Sequence, residues 1–232
     1  MEKQKYAAIV LAAGSGKRMN SKVHKQYLII QDRPVLYYSL KAFEDSAVDE
    51  IVLVVGKGEE EFCRKEIVDK YGISKVKAIV EGGKERYHSV FEGLKQTSDA
   101  DYVLIHDGAR PFVNQDIIRR CMQEVQKYQA CVVGMPVKDT IKIADEEGYA
   151  KQTPDRKNVW MIQTPQTFSY ALIYEAYGEM LKTEDAAITD DAMVLERTKG
   201  KKSKLIEGSY RNIKITTPED LLIANVYLQY PE

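Results

Sequence analysis

YAAIVLAAGSGKRM, residues 6–19, decides the fold. Tyr6–Leu11 is apolar or aromatic at every position, the pattern of a strand covered on both faces rather than on one. Gly14 and Gly16 follow at once, and glycine lets a backbone approach a ligand closely and turn its N–H groups toward phosphate oxygens. In open α/β sheets ligands sit beyond the carboxyl ends of the strands, where this turn falls.

Working outward, similar runs recur at Glu50–Val55, Lys77–Glu81, Tyr102–His106 and Ala130–Met135. Amphipathic stretches separate them at Pro34–Phe43, Glu59–Tyr71, Glu85–Gln96 and Asn114–Tyr128, and later helices are expected to start near Ser169, Thr189 and Pro218. Pro34 and Pro218 suit first-turn positions, where a missing N–H is no loss. Such alternation predicts an α/β fold, a mostly parallel sheet flanked by helices. At 232 residues, one domain over 1–232 is expected, and 44% apolar residues fill its core without metals or staples.

Between 138 and 160 the pattern changes. DTIKIAD and Lys151–Thr153 read as two strands flanking the turn Asp145-Glu146-Glu147-Gly148, a projecting β-arm. So small an arm has no core of its own and is expected to pack on a second copy, giving a homodimer.

Charge is balanced, 34 Lys and Arg against 35 Asp and Glu, which excludes a globally basic nucleic-acid binder and an acidic disordered chain. Locally it is not: from Lys3 through Gln31 there are six Lys or Arg and no acid. No apolar run is long enough to cross a bilayer, and no signal peptide is evident, so neither a membrane nor nucleic acid is an expected partner. Cys63, Cys121 and Cys131 lack CxxC spacing and suit reduced thiols in a cytoplasm.

Two familiar phosphate loops fail at the first turn. GxGxxG needs glycine where Met19 stands, which weakens a dehydrogenase reading, and GxxxxGK[ST] needs glycine at Leu11 and a hydroxyl at Arg18. After the fourth strand, HDGARPF offers Asp107 as a hard oxygen ligand for a phosphate-bridging Mg²⁺, with Arg110 beside it. None of the three histidines shows metal-ligand spacing. Near the end, strand-like NIKITT alternates Ile213, Lys214 and Ile215, which would send the lysine to the face opposite the isoleucines.

Taken in order, LAAGSGKRM (11–19), Lys25-Gln26, GGKERYHSV (82–90), HDGARPF (106–112), PVKDTIK (136–142), QTPQTF (163–168), TDD (189–191) and NIKITTPEDL (212–221) resemble the 2-C-methyl-D-erythritol 4-phosphate cytidylyltransferases. The resemblance implies a Rossmann-like fold of the nucleotide-diphospho-sugar transferase type with a dimerising β-arm. It implies transfer of CMP from CTP to methylerythritol phosphate, with Mg²⁺, in isoprenoid precursor synthesis. Carried over motif by motif, Arg18 and Lys25 would stabilise charge on the α-phosphate and the departing pyrophosphate. Asp107 would bind Mg²⁺, and Ala12, Ala13, Gly14, Ser15 and Gly16, with Gly82, Gly83 and Ser89, would hold the cytidine portion. Lys214 and Arg156 would fix the acceptor, with Arg110, Thr140, Thr164 and Thr189 adding contacts, and Arg156 would come from the neighbouring subunit.

Ribitol-5-phosphate cytidylyltransferases share the first loop and the terminal lysine. Ala109, Asp139-Thr140-Ile141-Lys142 and Asp155-Arg156 with Trp160 favour the methylerythritol phosphate wording. A non-catalytic nucleotide-binding protein of this fold would be expected to lack Lys25, Asp107 or Lys214, and all are present. The chain departs from the frequent wording at His24, where proline is common, and at Lys84, where an acid is common.

Overall fold

β1 (Tyr6–Ala12) forms where the opening run predicts it, and its side chains alternate between two apolar layers. Tyr6, Ala8, Val10 and Ala12 face one layer, Ala7 and Ile9 the other, so a continuous apolar strand is what both faces require. The computed structural model describes residues 3–14, 24–182 and 188–230.

After a 3₁₀ turn at Lys25–Tyr27, a short hairpin of β2 (Ile29–Ile30) and β3 (Arg33–Pro34) leads into α1 (Val35–Glu44). Pro34 is therefore the residue before the helix rather than part of its first turn. There follow β4 (Glu50–Val55), α2 (Glu60–Cys63), β5 (Val76–Glu81), α3 (Arg86–Lys95), β6 (Tyr102–Asp107), α4 (Gln115–Tyr128) and β7 (Ala130–Pro136). The helix expected over 59–71 begins as α2 but widens to π geometry over Arg64–Asp69. The arm carries β8 (Ile143–Ala144) and β9 (Ala150–Gln152), and the chain returns through β10 (Trp160–Ser169), α5 (Tyr170–Met180), α6 (Asp191–Lys199), β11 (Lys204–Glu207) and α7 (Pro218–Gln229). Pro218 does open α7, inside a capping box of Thr217 and Asp220.

Seven strands form the main sheet in the order β11-β7-β10-β6-β1-β4-β5. β10 alone runs antiparallel, against β6 on one side and β7 on the other. Its sequence, WMIQTPQTFS, reads as a polar loop, which is why periodicity misses it. Yet Gln163 through Phe168 are buried, with the side chains of Gln163, Thr164 and Gln166 bonded to neighbouring elements instead of water. Two apolar clusters cover the sheet, one packed with α1 and α4, the other with α3, α5 and α6.

NIKITT also differs from expectation: it joins no ladder, and Ile215 N–H donates instead to the Ala109 carbonyl at 2.8 Å. The alternation survives, since Ile213 and Ile215 pack in a third apolar cluster while Lys214 points elsewhere. The arm has the expected hairpin with shorter strands. Asp145 Oδ1 accepts from the N–H groups of Glu147 and Tyr149, and Gly148 turns at φ +88°, where a side chain would be strained.

Candidate active site

Asp107 ends β6 at the carboxyl edge of the sheet, and the next residue explains how the chain turns there. Gly108 donates its N–H to the Leu11 carbonyl at 2.8 Å, and a Cβ on it would lie 2.9 Å from that same oxygen. This close approach brings Asp107 beside the first glycine turn. Its carboxylate faces three cations: Lys214 Nζ at 2.8 Å, Arg86 Nε at 3.5 Å and Arg110 Nε at 3.8 Å. Burial alone would raise the Asp107 pKa, but Lys214, then Arg86 and Arg110, override it and hold the carboxyl well below the usual range.

Lys214 is delivered by its neighbours. Asn212, fully buried, donates to the Thr164 carbonyl at 2.9 Å and accepts at its own carbonyl from Arg110 Nη1 at 2.7 Å. With the Ile215–Ala109 bond, the 212–215 segment is pinned to β10 and to the loop after β6. Lys25 is delivered similarly: in the next two positions Gln26 is buried and donates to the Ala12 carbonyl, and Tyr27 donates to Glu59 at 2.7 Å. His24 Nδ1 lies 2.7 Å from the other oxygen of Glu59.

The opposite wall is the start of α3. Gly83 N–H donates to Ser89 Oγ at 3.1 Å, closing the loop over the first helical turn. A Cβ on Gly82 would lie 2.5 Å from the Ala13 Cβ, so the two glycine loops touch through that missing side chain. Glu85 and His88 form a capping box, in which the Glu85 carboxylate accepts the His88 N–H and His88 Nδ1 accepts the Glu85 N–H. Arg86, next in line, lies between Asp107 and Asp191, and its Nη1 and Nη2 meet the Asp191 oxygens at 2.7 and 2.8 Å.

Under the site, Thr164 Oγ1 accepts the Asp107 N–H at 3.1 Å and lies 3.0 Å from His106 Nδ1, while His106 Nε2 lies 3.2 Å from the Arg110 carbonyl. These contacts are mutually consistent when the neutral ring donates from Nε2 and accepts at Nδ1. Burial pushes the His106 pKa down to about 4 despite the Asp107 charge beside it.

Two cavities meet at this cluster. A larger one of about 410 Å³ is lined by Ala12, Ala13, Gly14, Lys25, Gly83 and Ser89, and a smaller one of about 250 Å³ by Arg110, Thr164 and Thr189. Arg86, Asp107 and Lys214 belong to both. The sequence-predicted residues are thus sorted into two groups around a shared wall. Gly82 is not among the lining residues of either cavity; it lies against Ala13 and Ser89, with its N–H donated to the Val55 carbonyl. Thr140 and Arg156 sit on the exposed arm outside both cavities, Arg156 Nη1 donating to the Lys138 carbonyl at 3.0 Å. Ser15, Gly16 and Arg18 lie outside the described residues.

Sequence reasoning missed Arg86, Asp191 and Gln166. Each stands in a quoted motif, but nothing in the sequence says that residues 105 positions apart form a bidentate pair. Among the described residues no group of three or more His, Cys, Asp or Glu forms a metal cage. Asp107 and Glu85 are the carboxylates lining the larger cavity. With Glu85 capping α3, a single carboxylate is left, which fits Mg²⁺ carried mainly by phosphates rather than by protein.

The family model described as IspD, 2-C-methyl-D-erythritol 4-phosphate cytidylyltransferase, matches residues 6–230. The chain belongs to this cytidylyltransferase family. Similar curated cytidylyltransferases of that description include one from Lachnospira eligens, 54% identical over 96% of this chain and 98% of that protein. Another, from Lachnoclostridium phytofermentans, is 51% identical over 97% of each. Among solved structures, the 4-diphosphocytidyl-2C-methyl-D-erythritol synthase of Anaerococcus prevotii superposes with a TM-score of 0.85 at 38% identity, covering 97% of this chain and 96% of that one. The cytidylyltransferase fold expected from the motifs is therefore the one present, with no helix among the described residues long and apolar enough to cross a membrane.

Proposed function

We propose that the protein transfers CMP from CTP to 2-C-methyl-D-erythritol 4-phosphate, releasing pyrophosphate, in the supply of isoprenoid precursors. The observation that carries this reading is the pair of cavities sharing Arg86, Asp107 and Lys214, since joining two polyanions needs two pockets with cations between them. The larger cavity takes CTP and the smaller the acceptor phosphate. An acceptor phosphate oxygen attacks the α-phosphorus, a new P–O bond forms, the α–β bond breaks, and pyrophosphate carries away the electron pair.

A phosphate monoester is already largely ionised near neutral pH, so no general base is needed. Catalysis is positioning and charge stabilisation. Lys214 bridges the two cavities from the Asp107 side, and Lys25 faces the nucleotide. Arg18 adds charge from the glycine-rich loop. Asp107, with the CTP phosphates, would hold Mg²⁺, and the ion would supply neutralisation of phosphate charge.

The reading extends to a homodimer formed through the β-arm. Ile143 and Tyr149 on the hairpin and Met161 and Ile162 at its base are exposed, with Tyr149 69% accessible, so the arm presents an apolar surface for a second copy. In that dimer the partner's arm supplies Arg156 and Thr140 to the acceptor cavity. The enzyme acts in the cytoplasm, where thiols such as its three unpaired, buried cysteines stay reduced. The test is pyrophosphate release with CTP and Mg²⁺, offering methylerythritol phosphate or ribitol 5-phosphate. Turnover confined to the first acceptor is expected, and preference for ribitol phosphate would overturn the substrate.

A further inference from the structure

Arg86 borders both cavities, yet its fork is turned away from Asp107. Both terminal nitrogens are taken by Asp191, whose side chain has no exposure, and only Nε faces Asp107. Asp191 is itself fixed. Tyr177 donates its hydroxyl to Oδ1, and the side-chain carbonyl of Gln166 accepts from the N–H groups of Asp191 at 3.0 Å and Ala192 at 2.9 Å. A guanidinium held bidentate by one carboxylate is not free to clamp another.

Resting on the cytidylyl-transfer reading, we infer that Asp191 is a positioning residue that acts through Arg86, holding its fork off Asp107 so that Oδ1 of Asp107, the oxygen not paired with Lys214, stays open to the divalent cation accompanying CTP. Without the Asp191 charge, Arg86 has Asp107 as the remaining carboxylate on its ion-pair contacts and closes on it. At Oδ1 the cation then competes with a fork instead of the single Nε–H at 3.5 Å, while Lys214 stays on Oδ2 in either case. A role in packing alone would lower stability and leave the cation requirement where it was.

The test compares Asp191→Asn, the double variant Asp191→Asn/Arg86→Gln, which removes both charges, and Tyr177→Phe with the unaltered enzyme. Two readouts are taken across a Mg²⁺ series: CTP affinity by calorimetry and pyrophosphate release with methylerythritol phosphate. Asp191→Asn is expected to need about tenfold more Mg²⁺ for half-maximal effect in both, and removing Arg86 as well returns the requirement to within about twofold of the unaltered enzyme. Tyr177→Phe moves it in the same direction by less. An equal shift in the double variant, or a lowered melting temperature with an unmoved Mg²⁺ requirement, overturns the inference. If Asp191→Asn does not fold, an unmoved requirement in Tyr177→Phe overturns it. An unaltered enzyme that does not turn over removes the functional reading and this role with it, whereas an active one whose variants keep its Mg²⁺ requirement removes this role alone.

Discussion

A carboxylate as enclosed as Asp107 keeps its charge because Lys214, Arg86 and Arg110 surround it, and the same arrangement makes Lys214 testable. Lys214→Ala removes one of the two cations common to both cavities, so turnover is expected to fall about 10²–10³-fold, the range for loss of one preorganised charge stabiliser. A loss of only a few-fold would mark the Lys214 pair with Asp107 as structural rather than catalytic. His106 sets a second expectation. Its pKa falls from an ordinary 6.5 to about 4 on burial, so between those values the unfolded chain binds a proton that the folded one refuses. Stability is therefore undiminished above about pH 6.5 and loses about 3 kcal/mol from this group as pH falls to about 4. Urea unfolding at pH 7 and pH 4.5 should show a smaller acid loss in His106→Gln than in the unaltered chain, and equal losses would remove His106 as the cause.

At the level of elements, the site depends on loops that touch because side chains are missing. Gly108→Ala would place a methyl 2.9 Å from the Leu11 backbone oxygen, which has no rotamer with which to yield. The substitution is expected to cost about 1–3 kcal/mol and to lower kcat/KM by displacing Asp107. An unchanged melting temperature would show that the turn relaxes freely. The parallel strands β1, β4, β6 and β7 were legible because burial on both faces leaves an apolar run, as in Glu50–Val55, buried throughout. β10 was not, because its burial is satisfied by pairings such as Gln163 with Ser209 and Gln166 with Asp191, which are written in distant parts of the chain. Asp107, Lys25 and Lys214 were legible from charge at strand ends and motif wording. Arg86 and Asp191 were not, because their pairing exists only once α3 and α6 have packed.

For the whole molecule, the arm keeps Thr140 and Arg156 away from the cavities of their own chain. If a neighbour uses them, Lys25→Ala and Arg156→Ala chains mixed in equal amounts form hybrid dimers with one intact site of two. Random pairing then restores about a quarter of the unaltered activity, from two nearly inactive parents. Activity no higher than that of the parents would exclude shared sites. Tyr149→Asp is expected to favour monomers in sedimentation velocity and to lower activity at dilute protein.

The common boundary between the two cavities has a pharmacological corollary. A single compound joining a cytosine-like head to a phosphonate tail, with a spacer short enough to run past Arg86, Asp107 and Lys214, would engage both compartments at once. Because the second attachment is then intramolecular, potency would exceed that of either fragment by orders of magnitude without any new contact.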